Sequence, residues 1–169
     1  MKNIQIGILL FLLFVGQLSL AQNSNQRPII HDLSAALTDV MIVDGFSPPQ
    51  ASRAYYYSHV GYYEVARQQS AEYASLAGQL KGLSELPLAS DDVNLGYAAG
   101  LVFKKVASSV VYRGATMEQK ADTLLQTTFQ RIDSETKEKS EEYALHIFKF
   151  ISEWMSNDNY VKLKSLPRY

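Results

Sequence analysis

Within the segment 48–69, Ala54, Ser58, Gly61 and Val65 fall on one line of a helix wheel. A row of small side chains lets a second helix come close, and the flanking Tyr55 and Tyr62 supply ring area to fill the seam. This pattern commits the chain to helix-on-helix packing. Ser47 reads as the N-cap, and Pro48 takes the first helical position, where its missing N–H costs nothing. Ala51, Tyr55, Ser58, Tyr62, Val65 and Ala66 form the main stripe. Arg53, Glu64, Arg67 and Gln68 fall on the opposite side, the side expected to face solvent. Apolar surface covers most of the wheel, so this helix is expected at the centre of a bundle.

The neighbouring segments repeat the helical period. A helix is predicted over about 33–45, with Asp32 as cap and Gly45 as stop. Residues 71–90 read as a short helix and a connection broken by Gly78, Gly82 and Pro87. Another helix is predicted over about 92–112, capped by Asp91, with Leu95, Ala98, Ala99, Val102, Val106 and Val110 on one face. Gly96 and Gly100 lie four apart in it, a spacing that suits close packing in a soluble bundle because Lys104 and Lys105 interrupt the apolar run. Thr116 to Gln119 has the form of a capping box, opening a helix over about 117–131. The last helix is expected over about 135–156, charged at its start, with Tyr143, Ile147, Phe148, Ile151, Trp154 and Met155 as its apolar face. No alternating strand pattern of useful length occurs. The expected fold class is all-α, a bundle of about five main helices.

The N-terminus has a different character. Lys2 precedes the apolar run 6–15, and Ser19 and Ala21 stand at the small-residue positions before a cleavage point. Residues 1–21 read as a signal peptide cut after Ala21, which implies export to the periplasm or the extracellular space. The run is short against the about 20 residues of a membrane span. The chain has no cysteine, which excludes disulfides, thiolate metal sites and a lipid-anchored cysteine after the cut. A formal net charge of -1 gives no basic bias for nucleic acid. The domain organisation is then a helical domain over 22–160, with 161–169 as the start of a linker.

The candidate chemistry is sparse. His59 sits among tyrosines and could serve as a base or ligand, with Tyr55 and Glu64 as partners. The plainer reading is a histidine satisfied by one hydrogen bond within the packing. His146 follows Glu142 by one turn, but a di-metal carboxylate bundle needs paired Glu-x-x-His motifs on two helices, and neither is present. His31-Asp32 is better explained by capping; Arg53 and Arg67 could hold an anion, but an intrahelical ion pair with the nearby Glu64 explains at least one of them. No nucleophile elbow, phosphate loop or metalloprotease helix occurs. No catalytic, cofactor-binding or metal-binding residue is assigned.

The stretch 39–65, DVMIVDGFSPPQASRAYYYSHVGYYEV, resembles the N-terminal part of exported vanadium-dependent haloperoxidase-like proteins of the type 2 phosphatidic acid phosphatase superfamily. In that group a helix ending in Asp and Phe leads to Ser-Pro-Pro, then to a helix with Ala-Ser-Arg and aromatic residues. The likeness continues through 73–87, 94–112, the last helix and LPRY at 166–169.

The resemblance implies an oxyanion site in the complete proteins, where a lysine, two arginines and backbone N–H groups hold vanadate or phosphate and histidines act as nucleophile or ligand and as acid or base. Those residues sit in Lys-x6-Arg-Pro, Pro-Ser-Gly-His and Arg-x5-His motifs. None is present in this chain. Arg27-Pro28 has Leu20 where the lysine belongs, Lys105 and Arg113 are wrongly spaced, and Arg53 with His59 lacks the surrounding pattern. The chain is therefore expected to hold no vanadate itself, although the complete family does. The resemblance implies that the chain is the N-terminal helical scaffold of such a protein, a truncated or split form inactive on its own, and the expected partner is a separately encoded catalytic half, or a second copy joined through an exposed apolar face. Alternatives are a free-standing exported binding module that has lost catalysis, and an enzyme using His59, Tyr55 and Glu64. A bare interface is expected to show in Tyr56, Tyr63, Phe103, Phe148 and Phe150.

Overall fold

Pro28 starts the first helix rather than Asp32. A computed structural model describes residues 28–158, and α1 runs Ile29–Val43 with Pro28 at its N-cap. Asp32 lies inside the first turn, where its negative charge favours the helix N-terminus. The expected signal peptide and the linker 161–169 lie outside the described residues. Gly45 stops α1 as expected. It adopts φ +67°, and the Phe46 N–H reaches back to the Met41 carbonyl at 3.0 Å, the long bond of a Schellman turn.

Helix α2 spans Pro48–Ala66 and runs on into one 3₁₀ turn, Arg67–Gln69. At its start the Gln50 side-chain oxygen accepts from the Ser47 N–H at 3.0 Å. The next helix, α3, spans Leu95–Val110. Its cap is Asn94, not Asp91: Asn94 Oδ1 accepts from the Tyr97 N–H at 2.9 Å. Helix α4 spans Gly114–Thr128 and α5 spans Ser134–Ser156. Asp133 caps α5 by accepting from the Thr136 N–H at 2.9 Å. Among the described residues the chain is an all-α bundle of five α-helices. The short helix expected in 71–90 does not form; apart from one bridge between Ala77 and Leu80, that stretch is turns and extended backbone.

The capping box expected at Thr116 is also absent, because α4 starts three residues earlier, with Arg113 at its N-cap. A residue from another helix ends the preceding turn instead. Asp44, at the end of α1, accepts from the Tyr112 N–H at 2.8 Å and the Arg113 N–H at 3.2 Å, and Arg113 Nε adds a contact at 3.4 Å. Asp44 thereby fixes the turn that leads into α4, whose own N-cap, Arg113, makes no side-chain capping bond.

The centre of the bundle is α3, not α2. Ten residues of the sixteen in α3 are buried, against seven of the nineteen in α2, and α3 touches each of the other four helices. Its glycines explain this. A Cβ on Gly100 would lie 2.4 Å from Leu125 Cδ2, so the Leu125 side chain of α4 occupies the space a larger residue there would need. On α2 the small strip seen in the sequence does face the core: Ala54, Ser58, Gly61 and Val65 are buried, and Gly61 lies against Val102 of α3. Leu33, Leu37, Phe103, Met117 and Ile147 have no exposed surface. Burying each contributes roughly 1.5–3 kcal/mol.

Candidate functional site

The one cluster of chemically capable side chains that the sequence singled out lies where α1 and α2 run side by side. Residues at i and i+4 on each helix meet there. His59 Nδ1 is 2.8 Å from the Tyr55 carbonyl, and a carbonyl only accepts, so Nδ1 carries a proton. Nε2 is 2.9 Å from Ser34 Oγ, which also reaches the Ile30 carbonyl at 2.6 Å. The Thr38 hydroxyl donates to the Ser34 carbonyl at 2.7 Å, so the Tyr55 hydroxyl donates to Thr38 Oγ1 at 2.5 Å. Phe103 closes the back of the cluster, its ring edge-on to His59 with centroids 5.3 Å apart.

This arrangement answers the enzyme reading. Both ring nitrogens of His59 have partners within the chain, Nδ1 a backbone carbonyl rather than a carboxylate. The Ser34–His59 distance is that of a nucleophile and its base. However, both residues sit in mid-helix, where backbone N–H groups are spent on helical bonds, and no oxyanion donors face them. Glu64 is not with them.

Glu64 is instead the largest departure from the sequence reading. The wheel placed it outward, yet it has no exposed surface. The segment after α2 folds back over that side of the helix. Glu64 Oε1 accepts from the Leu76 N–H at 2.6 Å; Oε2 accepts from Ser75 Oγ at 2.9 Å and from Arg67 Nε at 2.8 Å. A buried carboxylate needs such a set of donors. The same segment is tied by Tyr63, whose hydroxyl donates to the Ala74 carbonyl at 2.8 Å, and by Trp154 Nε1, which donates to the Lys81 carbonyl at 3.1 Å. The Glu64–Arg67 ion pair is the one the sequence suggested, but the burial of Glu64 and the role of Asp44 were missed. The available signal was an acid on an otherwise apolar wheel, three residues before an arginine.

The cations bear on the oxyanion question. Arg67 pairs with Glu64, Arg53 with Asp158 at 2.8 Å, Lys104 with Asp122 at 2.7 Å, and Lys120 with Asp39 at 3.1 Å. Arg113 faces Asp44, and Lys139 sits between Asp92 at 2.5 Å and Glu135 at 2.9 Å. A tetrahedral oxyanion needs several cationic side chains turned toward one point. These six are turned toward carboxylates in separate parts of the bundle. No group of three or more His, Asp or Glu positioned for a metal ion occurs among the described residues. No described helix is long and apolar enough to cross a membrane.

Of the aromatic residues expected on a bare interface, only Tyr56 is exposed, at 44%. Phe103 is fully buried behind His59, and Tyr63, Phe148 and Phe150 are half-buried. The reason for Phe103 is its place on α3, the helix that every other one covers.

The bundle has a vanadium-haloperoxidase-like fold. The likeness is to the crystal structure of a bacterial vanadium-dependent iodoperoxidase, with a TM-score of 0.76 and 30% sequence identity. It covers 83% of this chain and 34% of that one, so the chain spans about a third of the iodoperoxidase's length. No protein-family model matches the chain, and no curated protein does.

Proposed function

We propose that this chain is the N-terminal helical scaffold of an exported protein of the vanadium-dependent haloperoxidase and acid phosphatase type, inactive without a part that carries the oxyanion-holding residues. The observation that carries the reading is the unequal coverage: most of this chain matches, but two thirds of the iodoperoxidase has no counterpart in it. The ion pairs support it, since Arg53, Arg67, Lys104 and Lys120 are each turned toward a carboxylate rather than toward one shared point. Vanadate, on this reading, is held by the other part, and the bundle described here packs and positions that part.

A second reading is a free-standing exported module that binds a partner without catalysis. One observation favours it: four of the five aromatic residues expected on a bare interface are at least half-covered within the chain.

The test is to seek the polypeptide carrying Lys-x6-Arg-Pro, Pro-Ser-Gly-His and Arg-x5-His in or beside the same gene, and to assay it with orthovanadate, peroxide and iodide, and for phosphate ester hydrolysis. The scaffold reading expects turnover only when both parts are present. Absence of any such polypeptide, or turnover by this chain alone, contradicts it.

A further inference from the structure

The groove between α1 and α2 differs in chemistry from the larger grooves of the described surface. The groove of about 650 Å³ between α3, α4 and α5 is lined by Lys104, Lys105, Asp122, Lys137, Glu138 and Glu141 among others. The one of about 540 Å³ beside α5 carries Asp92, Lys139, Glu142 and Lys149. The α1–α2 groove, about 500 Å³ and shallow, is lined by Ser34, Ser52, Tyr55, Tyr56 and His59, with no acid, lysine or arginine. Thr38 and Ile42 continue the line of Ser34 along α1 at intervals of four residues, and Ile42 is 72% exposed. The charged residues next to this strip, Asp39 and Arg53, are each turned to an opposite charge, Lys120 and Asp158. Depletion of charge at the centre, enrichment in tyrosine and a polar rim distinguish protein interfaces from ordinary surface better than bulk hydrophobicity does.

The polar atoms of the strip make it suited to being covered. Ser34, Thr38, Tyr55 and His59 are bonded to one another and to helix carbonyls, the single Ser34 proton going to the Ile30 carbonyl or to His59 Nε2. A partner that seals the groove therefore needs to supply hydrogen bonds chiefly to the Ser52 and Tyr56 hydroxyls, which limits the penalty for burying such groups. It would also find the groups fixed in place before it binds.

We propose that the strip formed by Ser34, Thr38, Ile42, Ser52, Tyr56 and His59 is the surface on which the complementary part of a haloperoxidase-like protein docks, through an uncharged helix face that offers hydrogen-bond partners to the Ser52 and Tyr56 hydroxyls. The inference rests on the scaffold reading above, and the missing two thirds of the iodoperoxidase's length is what supplies the occupant.

The chain has no cysteine, so one introduced thiol reports one place. Ser52→Cys probes the strip, and Gln126→Cys probes the charged groove of α3, α4 and α5 as control. Maleimide labelling is measured on the chain alone and after mixing with the motif-carrying polypeptide, with complex formation followed by gel filtration. The expected result is a complex in which Ser52→Cys labels about tenfold more slowly or less while Gln126→Cys is unaffected, and a complex weakened about tenfold or more by Ser52→Arg, which buries an unpaired charge. A complex in which Ser52→Cys stays as reactive as in the isolated chain overturns the assignment of this surface and leaves the scaffold reading intact. Absence of any complex overturns both. Protection of Ser52→Cys by rising concentration of this chain alone assigns the strip to a second copy and overturns the proposal.

Discussion

Arg67 Nε donates to Glu64 Oε2 at 2.8 Å, and the carboxylate it meets is sealed from solvent. The pair joins α2 to the segment that follows it, because Ser75 and Leu76 donate to the same carboxylate. An element with no regular structure of its own is thus held by a charge in the helix beneath it.

Removing that charge leaves Arg67 without its partner and the Leu76 N–H without an acceptor. Glu64→Ala is expected to cost about 3–5 kcal/mol, the range for breaking a buried pair. Glu64→Gln is expected to cost less, since an amide oxygen still accepts from Leu76. Urea unfolding measures both, and limited proteolysis should show new cleavage within 70–90 in the alanine variant. A loss under about 1 kcal/mol would mean the carboxylate is not the anchor.

Two glycines make close approaches of different kinds. At Gly100 the obstacle to a Cβ is the end of the Leu125 side chain; at Gly114 it is the Ser108 carbonyl oxygen, 2.5 Å away. A leucine can move and a backbone carbonyl cannot. Gly100→Ala should cost about 1–2 kcal/mol, an overpacking penalty partly offset by the helix preference for alanine. Gly114→Ala should cost about 3 kcal/mol or more. Equal unfolding midpoints for the two variants would contradict this reading of the α3–α4 turn.

Several phenols are held back from ionising. Burial raises Tyr97 well above the ordinary phenol value, reinforced by its hydrogen bond to Glu141 at 3.0 Å; burial raises Tyr62 and Tyr143 as well. An acid whose folded pKa is raised contributes stability that is intact below its unfolded pKa, about 10 for tyrosine, and lost as pH climbs toward the folded value. Stability should therefore fall above about pH 10, and part of the phenolate absorbance should appear only with unfolding. At the other end, Asp92 is lowered by hydrogen bonds from Lys139 and Ser90, and Asp133 by the Thr136 N–H it caps. Their contribution is present above about pH 4 and lost as pH falls through the lowered folded values. Circular dichroism against pH, with absorbance at the phenolate band, checks both arms.

His59 is expected to be dispensable for chemistry. His59→Asn should lower stability by about 1 kcal/mol through the lost Ser34 bond. It should leave turnover of the two-part protein within a few-fold. A loss of a hundredfold or more at unchanged stability would return His59 to the active site.

What the sequence made legible was what a single helix carries in itself. The strip of Ala54, Ser58, Gly61 and Val65, the stop at Gly45 and the close packing at Gly100 all follow from local spacing and side-chain size, and each is where expected. The failures involve residues distant in sequence. Glu64 looked solvent-facing because a wheel does not contain the 70–90 segment that covers it. Thr116 looked like a cap because the turn that leads into α4 is fixed by Asp44, which comes from a different helix. The rank of α2 and α3 was inverted for a related reason: tyrosines made α2 look apolar all round, yet several of their hydroxyls end at polar partners on the surface, whereas the glycines and alanines of α3 gain burial from neighbours on every side.

The central claim is that this chain by itself offers no place for a tetrahedral oxyanion. The direct measurement is a ⁵¹V NMR titration of orthovanadate with the purified chain. The account predicts that the vanadate resonances keep the intensity and width they have in buffer at all protein concentrations. Loss of signal reaching one vanadate per chain, with a bound species in its place, would contradict it.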